Sequence, residues 1–211
     1  MFLILQDIFS STLGKSIAFK WGTACYFFHS LDRFSTDLDF DLLEKRDDID
    51  DIVWTILKKY GTVKKNPYTM VLSYWESDVN IKVDINRKVI HTNTYEIKNF
   101  YGLDIRVQDR WTIFANKLVA MTERNTNRDI YDIYFFIQNT FPINEKVIQE
   151  RTWKNFKEFL DVVIEKLEKL PKNYKILDGI GEVLTEKQKY FVKEKLIWEL
   201  LKLLYLKRDF L

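Results

Sequence analysis

Three aspartates at alternate positions are the residues of this chain best suited to chemistry. Asp37, Asp39 and Asp41 alternate with Leu and Phe residues in the run Thr36–Leu42. Successive side chains of a β-strand point to opposite faces, so the pattern predicts a strand with acids on one face and apolar residues in a core. Adjacent carboxylates repel unless a cation lies between them, and Mg²⁺ binds one or two carboxylates together with a substrate's phosphates. The run therefore predicts a divalent-metal site.

A second alternating segment, 80–87, supplies Asp84 as a candidate third carboxylate. If this strand lies beside the first, Asp84 comes close to Asp37 and Asp39. Such an oxygen cluster is what two metal ions need for in-line displacement at a phosphorus atom. The alternative is that Lys82 and Asp84 simply occupy an exposed face of the sheet.

The chain from Asp109 to Phe136 shows a helical pattern of apolar residues. Lys117 lies where this helix could extend an ammonium group toward a triphosphate. Asp129 and Asp132 are three residues apart, so they share a face near the start of the next helix, where the backbone dipole favours negative charge. Helix capping is therefore the alternative to a catalytic role for these acids. For Lys117 the alternative is a solvated surface charge.

Taken in order, these motifs resemble the AbiEii/AbiGii-type nucleotidyltransferase toxins of the polymerase-β-like superfamily. The motifs that carry the resemblance are Gly22-Thr23, Arg33 through Asp39, Lys82-Val83-Asp84-Ile85, Lys117-Leu118-Val119-Ala120 with Arg124, and Arg128-Asp129-Ile130-Tyr131-Asp132. The resemblance covers the chain from about Lys20 to Phe136. One departure is visible, because the family usually carries paired glycines before the Thr or Ser, whereas Trp21 precedes Gly22 here.

The resemblance implies transfer of a nucleotide from an NTP with release of pyrophosphate. Asp37 and Asp39 would hold Mg²⁺, and Asp84 is the third expected metal ligand, placed by strand pattern as well as by resemblance. Asp129 would be a further functional acid. The attacking hydroxyl must lose a proton, which Asp84 or Asp129 could accept within about 3 Å. The sequence leaves both acceptors open.

The other implied site residues contact the nucleotide. Gly22 and Thr23 would form the nucleotide-binding turn, Ser35 would lie against the phosphates, and Lys117 would contact the triphosphate. Relatives of this kind modify the acceptor end of tRNA and act as toxins beside an antitoxin. The implied partners are therefore an NTP, RNA (tRNA in the first place) and a cognate antitoxin protein. Two other interpretations stay open: transfer to a protein or small molecule, and a non-catalytic module that binds a nucleotide or a partner.

Composition adds expectations about compartment. The chain has 211 residues and a formal net charge of +2, which is weak support for RNA binding. Its single cysteine, Cys25, excludes a disulfide within the chain. No apolar run reaches the roughly 18 residues that a membrane span needs, and the start lacks the basic region of a signal peptide. We therefore expect a cytoplasmic protein without a membrane association.

The predicted fold class is α+β, with a small mixed β-sheet nucleotidyltransferase core and flanking helices followed by a C-terminal helical bundle. The expected domains are residues 1–108 and residues 109–211, the second contributing Lys117 and Asp129 to the site. Strands are predicted over 16–20, 36–42, 68–76 and 79–87, and with less support on both sides of 99–102. Helices are predicted over 22–31, 47–60, 109–122, 128–140, 144–169 (open to a break) and 185–207.

Breaks are predicted at Gly61 and Asn66-Pro67, and a tight turn at Ser77-Asp78. The last helix is so apolar that it must be covered. Burial in the bundle is the first expectation, and packing against another subunit or the antitoxin is the alternative.

Overall fold

The computed structural model describes residues 1–66, 69–74, 80–124 and 126–211, and the chain divides into two compact units. The first unit comprises Met1–Ser30 and Ser35–Asp109. The second comprises Leu31–Phe34 and Arg110–Leu211. The segment Leu31–Phe34 therefore belongs to the second unit, although the residues on both sides of it belong to the first.

A mixed sheet forms the centre of the first unit. Its strands are β1 (Ile17–Lys20), β2 (Leu38–Leu42), β3 (Gly61–Lys65), β4 (Thr69–Tyr74), β5 (Asn80–Asn86), β6 (Tyr95–Phe100) and β7 (Leu103–Gln108). Among the described residues the strand order is β3-β4-β5-β2-β1-β7-β6. The acidic strand β2 is central, because it pairs with β1 in antiparallel and with β5 in parallel orientation.

Three helices belong to this unit in the described residues: α1 (Phe2–Ser10), α2 (Trp21–Phe28) and α3 (Ile49–Leu57). In α1 the buried residues Ile4, Leu5 and Ile8 recur at helical spacing and form its core-facing side. Helix α3 carries acidic residues in its first turn, where the backbone dipole stabilises negative charge. Buried aromatic rings from the strands, including Phe19 and Phe40 with centroids 5.5 Å apart, fill the core.

The second unit is helical in its described residues. Its elements are α4 (Arg110–Glu123), α5 (Asn127–Gln138), α6 (Glu145–Thr152), α7 (Phe156–Glu168), a 3₁₀ turn (Gly181–Val183), α8 (Glu186–Glu194) and α9 (Leu196–Asp209). The starts of α7 and α8 follow from local chemistry. Asn155 with Glu158, and Thr185 with Gln188, each form a capping box that satisfies backbone N–H groups at the first turn.

The structure confirms the α+β class, a mixed sheet followed by helices, and changes several predicted elements. The predicted break at Gly61 is wrong, because Gly61 begins strand β3. The predicted helix over 144–169 is broken into α6 and α7, as the sequence allowed, and the predicted helix over 185–207 is also two helices that meet at Lys195. The turn predicted at Ser77-Asp78 and the residue Pro67 lie outside the described residues.

Helix α9 is covered along one side only. Leu196, Leu200 and Leu204 are buried, whereas Trp198 and Leu206 are exposed. Residues at this spacing share one face, so the prediction of burial in the bundle holds for that face. No helix in the described ranges is both long and apolar enough to cross a membrane.

Candidate active site

The register of the central strands brings two of the predicted carboxylates together. Asp39 in β2 lies opposite Asp84 in β5 and opposite Lys20 in β1. Residues that are directly opposite on neighbouring strands share a face of the sheet, so the two acids and the lysine stand side by side. Asp37 lies one residue before β2. Asp37, Asp39 and Asp84 are all partly exposed, and Lys82 Nζ is 3.6 Å from a carboxylate oxygen of Asp84.

Asp41, on the same strand, has a different environment because it is buried. Its carboxylate accepts hydrogen bonds from Lys20 Nζ at 2.7 Å and Gln108 Nε2 at 2.8 Å. Further donors are Asn86 Nδ2 at 3.0 Å, Asn93 Nδ2 at 3.2 Å and Tyr95 Oη at 3.3 Å. A buried charge is stable only when it is paired and hydrogen-bonded in this way. Asp41 therefore has a structural role, because its buried carboxylate joins β2 to the residues around it.

The turn before the acidic strand is held by side-chain contacts to α2. The Thr23 hydroxyl lies 3.0 Å from the Ser35 hydroxyl and also bonds the backbone carbonyl of Asp37. Thr23 and Gly22 belong to the first turn of α2, directly after β1. The structure therefore groups Gly22, Thr23, Ser35 and Asp37 at the N-terminus of a helix, where backbone N–H groups favour anions.

Trp21 gives this turn an unusual backbone. Its φ is 62°, in the left-handed region that favours glycine. A non-glycine residue held there costs on the order of 1–3 kcal/mol, and such residues are often found at functional sites. Trp21 stands where the resemblance leads us to expect a glycine, and it takes a backbone conformation that glycine would adopt without strain. The ammonium of Lys20 lies 4.8 Å from the Trp21 ring centroid.

The carboxylate set suits a metal that also binds phosphate. In the described part of the chain no group of three or more His, Cys, Asp or Glu side chains could hold a metal ion by itself. Mg²⁺ usually keeps several waters and takes only one or two carboxylates when substrate phosphates complete its shell. Asp39 and Asp84, opposite each other on neighbouring strands, with Asp37 at the strand entry, are residues of the kind that requirement calls for.

In the helical unit, Lys117 is buried in an ion-pair network. Its ammonium lies 2.7 Å from Asp129 and 2.9 Å from Asp132. Asp132 also accepts two hydrogen bonds from Arg33, at 2.6 and 2.7 Å, and Asp129 accepts two from Arg124, at 2.8 and 3.2 Å. Since Lys117 is buried, the alternative of a solvated surface charge is wrong for this residue.

The network stabilises the charged forms of Lys117 and Asp129. Burial alone would lower the pKa of Lys117, but the carboxylates of Asp132 and Asp129 outweigh it and raise this pKa. Burial likewise opposes ionisation of Asp129, but Lys117 and Arg124 hold the pKa of its carboxyl group well below the usual range. Asp129 is therefore a permanent carboxylate at neutral pH and a very weak proton acceptor.

The pairing of Arg33 with Asp132 was not predicted from the sequence. Arg33 stands in the motif that leads to the acidic strand, and Asp132 in the Arg-Asp motif, 99 residues later. Both residues were noted for their motifs, but nothing local in either segment indicates the other as its partner. The only indication of this pairing in the sequence is that the two residues carry opposite charges.

The protein-family model described as "Nucleotidyl transferase AbiEii toxin, Type IV TA system" matches residues 3–201. The chain belongs to this family. The resemblance seen in the sequence motifs is therefore confirmed, and the protein is a nucleotidyltransferase of a toxin family. A search of curated proteins gives no significant match.

Solved structures show the same fold. A putative nucleotidyltransferase from Helicobacter pylori is 18% identical with a TM-score of 0.60, over 98% of this chain and 90% of its own. MenT4, a nucleotidyltransferase toxin from Mycobacterium tuberculosis H37Rv, is 18% identical with a TM-score of 0.55, over 94% and 82%. An antigenic nucleotidyltransferase-like protein from Paracoccidioides brasiliensis is 14% identical with a TM-score of 0.54, over 83% and 91%. At such identities the likeness is one of fold.

Proposed function

We propose that this protein is the Mg²⁺-dependent toxin of a toxin-antitoxin system, which transfers a nucleotide from an NTP to the acceptor end of tRNA in the cytoplasm. The observation that carries the proposal is the pairing of Asp39 with Asp84 across β2 and β5. In a family of nucleotidyltransferase toxins, two adjacent carboxylates beside a helix N-terminus suit the binding of a metal and a triphosphate.

In this proposal the first unit holds the reacting phosphates. Asp39 and Asp84 would be the metal ligands, with Asp37 at the strand entry beside them, and Mg²⁺ when bound would neutralise charge on the phosphate oxygens. Gly22 and Thr23 would present backbone N–H groups of α2 to the triphosphate, with the Ser35 hydroxyl beside them. These contacts orient the α-phosphorus for in-line attack, which is the main contribution a protein makes to phosphoryl-type transfer.

In the transfer step a hydroxyl oxygen of the acceptor forms a bond to the α-phosphorus, and the bond to pyrophosphate breaks. The proton of that hydroxyl would pass to Asp84. The alternative acceptor, Asp129, is disfavoured because its buried contacts with Lys117 and Arg124 hold its pKa so low. We assign Asp129 the role of a positioning residue for Lys117. The contact of Lys117 with the triphosphate rests on the family resemblance.

The test is transfer of each of four labelled NTPs onto purified tRNA, with Mg²⁺ and with EDTA. Asp39→Asn should lower the transfer rate by about a hundredfold or more, because it removes charge where the metal binds. Asp104→Asn is a matched control, since Asp104 is exposed on β7 and its side chain contacts Asn99. Full activity of the Asp39→Asn enzyme, or of the wild type in EDTA, would rule the proposal out.

Two rival functions give different results in the same assay. If the acceptor is a protein or a small molecule, label from a cell lysate will appear in those fractions and survive removal of RNA. If the chain only binds a nucleotide or a partner, no acceptor will be labelled, and any growth arrest on expression will be the same for wild type and Asp39→Asn. Loss of growth arrest in a stably folded Asp39→Asn protein would exclude this last function.

A further inference from the structure

Among the residues that the structure describes, strand β6 lies at one edge of the sheet. In the strand order of the described residues it neighbours β7 and has no strand beyond it. An edge strand presents backbone N–H and C=O groups that can pair with a strand from another chain. Ile97, in the middle of β6, is 58% exposed, which is unusual for an isoleucine on a strand. The edge therefore combines hydrogen-bonding capacity with an apolar contact.

The order of residues in β6 is self-complementary. When two copies of Tyr95–Phe100 run antiparallel and are centred on Ile97, each Glu96 lies opposite a Lys98 of the other copy, and the two Ile97 side chains meet. Glu96 and Lys98 are both partly exposed and share a face, as shown by their 3.0 Å contact within the strand. Directly opposite residues of antiparallel strands are neighbours, so two attractive charge pairs would form between the copies.

We propose that two copies of this chain associate through β6, antiparallel and centred on Ile97. This inference does not depend on the proposed reaction. The exposed Tyr101 ring, 4.8 Å from the Phe100 ring, adds apolar surface at the end of the strand. Six-residue strands bury a small interface, so the dissociation constant should be on the order of 1–100 µM.

Charges on an edge strand can also serve to prevent association. Charges of one sign would repel a second copy in every register. Glu96 and Lys98 have opposite signs at positions that exchange under the two-fold, so they attract in the antiparallel register and repel when the same strands are paired in parallel. This arrangement selects one geometry of pairing, which favours association over protection of the edge.

Sedimentation equilibrium of two charge-reversal variants tests the proposal. E96K and K98E should each weaken self-association by about tenfold or more, because both cross-strand pairs become like-charged. An equimolar mixture of the two variants should associate as tightly as the wild type, because every position 96 and 98 then faces the opposite charge. K64E on the opposite edge strand, where Lys64 is exposed, is the matched control and should associate normally.

Circular dichroism and thermal melting of each variant would establish that it is folded. A wild-type protein that stays monomeric at about 200 µM would overturn the proposal. So would a dimer that neither variant weakens, or variants that are both monomeric and remain so when mixed. Recovery of association in the mixture would also exclude a folding defect, because a misfolded variant would remain unable to associate after mixing.

Discussion

Two aspartates on one strand face show how much the surroundings of a residue decide its role. Asp39 and Asp41 are two residues apart and point the same way, yet Asp39 is partly exposed and Asp41 is buried among five donors. The alternation of residues predicts the shared face. It does not predict the burial, because Gln108 and Lys20 come from other strands.

Asp41→Ala should lower the free energy of unfolding by about 3–5 kcal/mol, because it leaves the buried ammonium of Lys20 without its counter-charge. Asp39→Ala should cost about 1 kcal/mol or less, since Asp39 is partly exposed. Urea unfolding of both variants at pH 7 measures the difference. Equal losses of unfolding free energy in the two variants would show that the buried contacts of Asp41 do not stabilise the fold.

The ion pairs of Asp129 predict that the free energy of unfolding depends on pH. Its carboxyl has a pKa lowered from the usual 3.8 by Lys117 and Arg124 in spite of burial, so its stabilisation is present above that value and is lost as pH falls toward the folded-state pKa. Asp129→Asn should therefore be less stable than wild type by about 3 kcal/mol at pH 7, and the gap should narrow below about pH 4. Urea titrations at pH 7, 5 and 3 would show this. A gap that is constant over this range would contradict the assigned ionisation.

At the scale of elements, short-range patterns predicted the strands that carry the site. Alternation in 36–42 and 80–87 predicted β2 and β5. That the two strands are neighbours was a condition of the metal-site hypothesis, and the strand register meets it. Strand β3 was missed because Gly61 was interpreted as a break. The division between α8 and α9 was missed as well, because the apolar pattern continues across Lys195.

Gly61 begins strand β3 at a point where this strand lies very close to the backbone of β4. A Cβ atom at Gly61 would lie 2.2 Å from the backbone oxygen of Ser73 on the paired strand β4. Real Cβ atoms do not approach this closely, so only glycine permits the close pairing of the two strands. The glycine thus marks tight contact with a neighbouring strand, which a single segment of sequence does not reveal.

Gly61→Ala should cost about 1–3 kcal/mol of unfolding free energy, because β3 must shift away from β4 to relieve the contact. Gly181→Ala is the comparison, since a Cβ there would meet Leu177 at an ordinary 3.8 Å. Thermal unfolding of the two variants gives the measurement. If the melting temperature of the Gly61 variant equals or exceeds that of the Gly181 variant, the close approach of β3 to β4 does not require glycine at this position.

At the scale of the whole molecule, the second unit is discontinuous in sequence. Leu31–Phe34 packs with Arg110–Leu211, and Arg33 contributes a guanidinium to the buried acids of α5. The sequence motifs predicted a division near residue 108, but they gave no sign that a four-residue segment belongs to the later unit. Such membership depends on contacts across 99 residues, which no local pattern encodes.

Arg33→Ala should destabilise the helical unit by about 3–5 kcal/mol, because Asp132 then loses its two charge-assisted hydrogen bonds in a buried site. Hydrogen exchange should increase in α4 and α5, far along the chain from the substitution. Arg33→Lys should fall between this variant and wild type, since an ammonium cannot form the fork that a guanidinium makes. Faster exchange confined to residues near position 33 would contradict this assignment.

The same ion pair affects how the protein is made. Ribosomes add about 5–20 residues per second, so Arg33 is synthesised about 5–20 s before Asp132. Throughout that interval the Arg33 guanidinium has no acid from α5 to pair with. A nascent or prematurely terminated chain that stops before α5 therefore carries Arg33 without its buried acid partner, and translation must reach at least residue 132 of 211 to supply it.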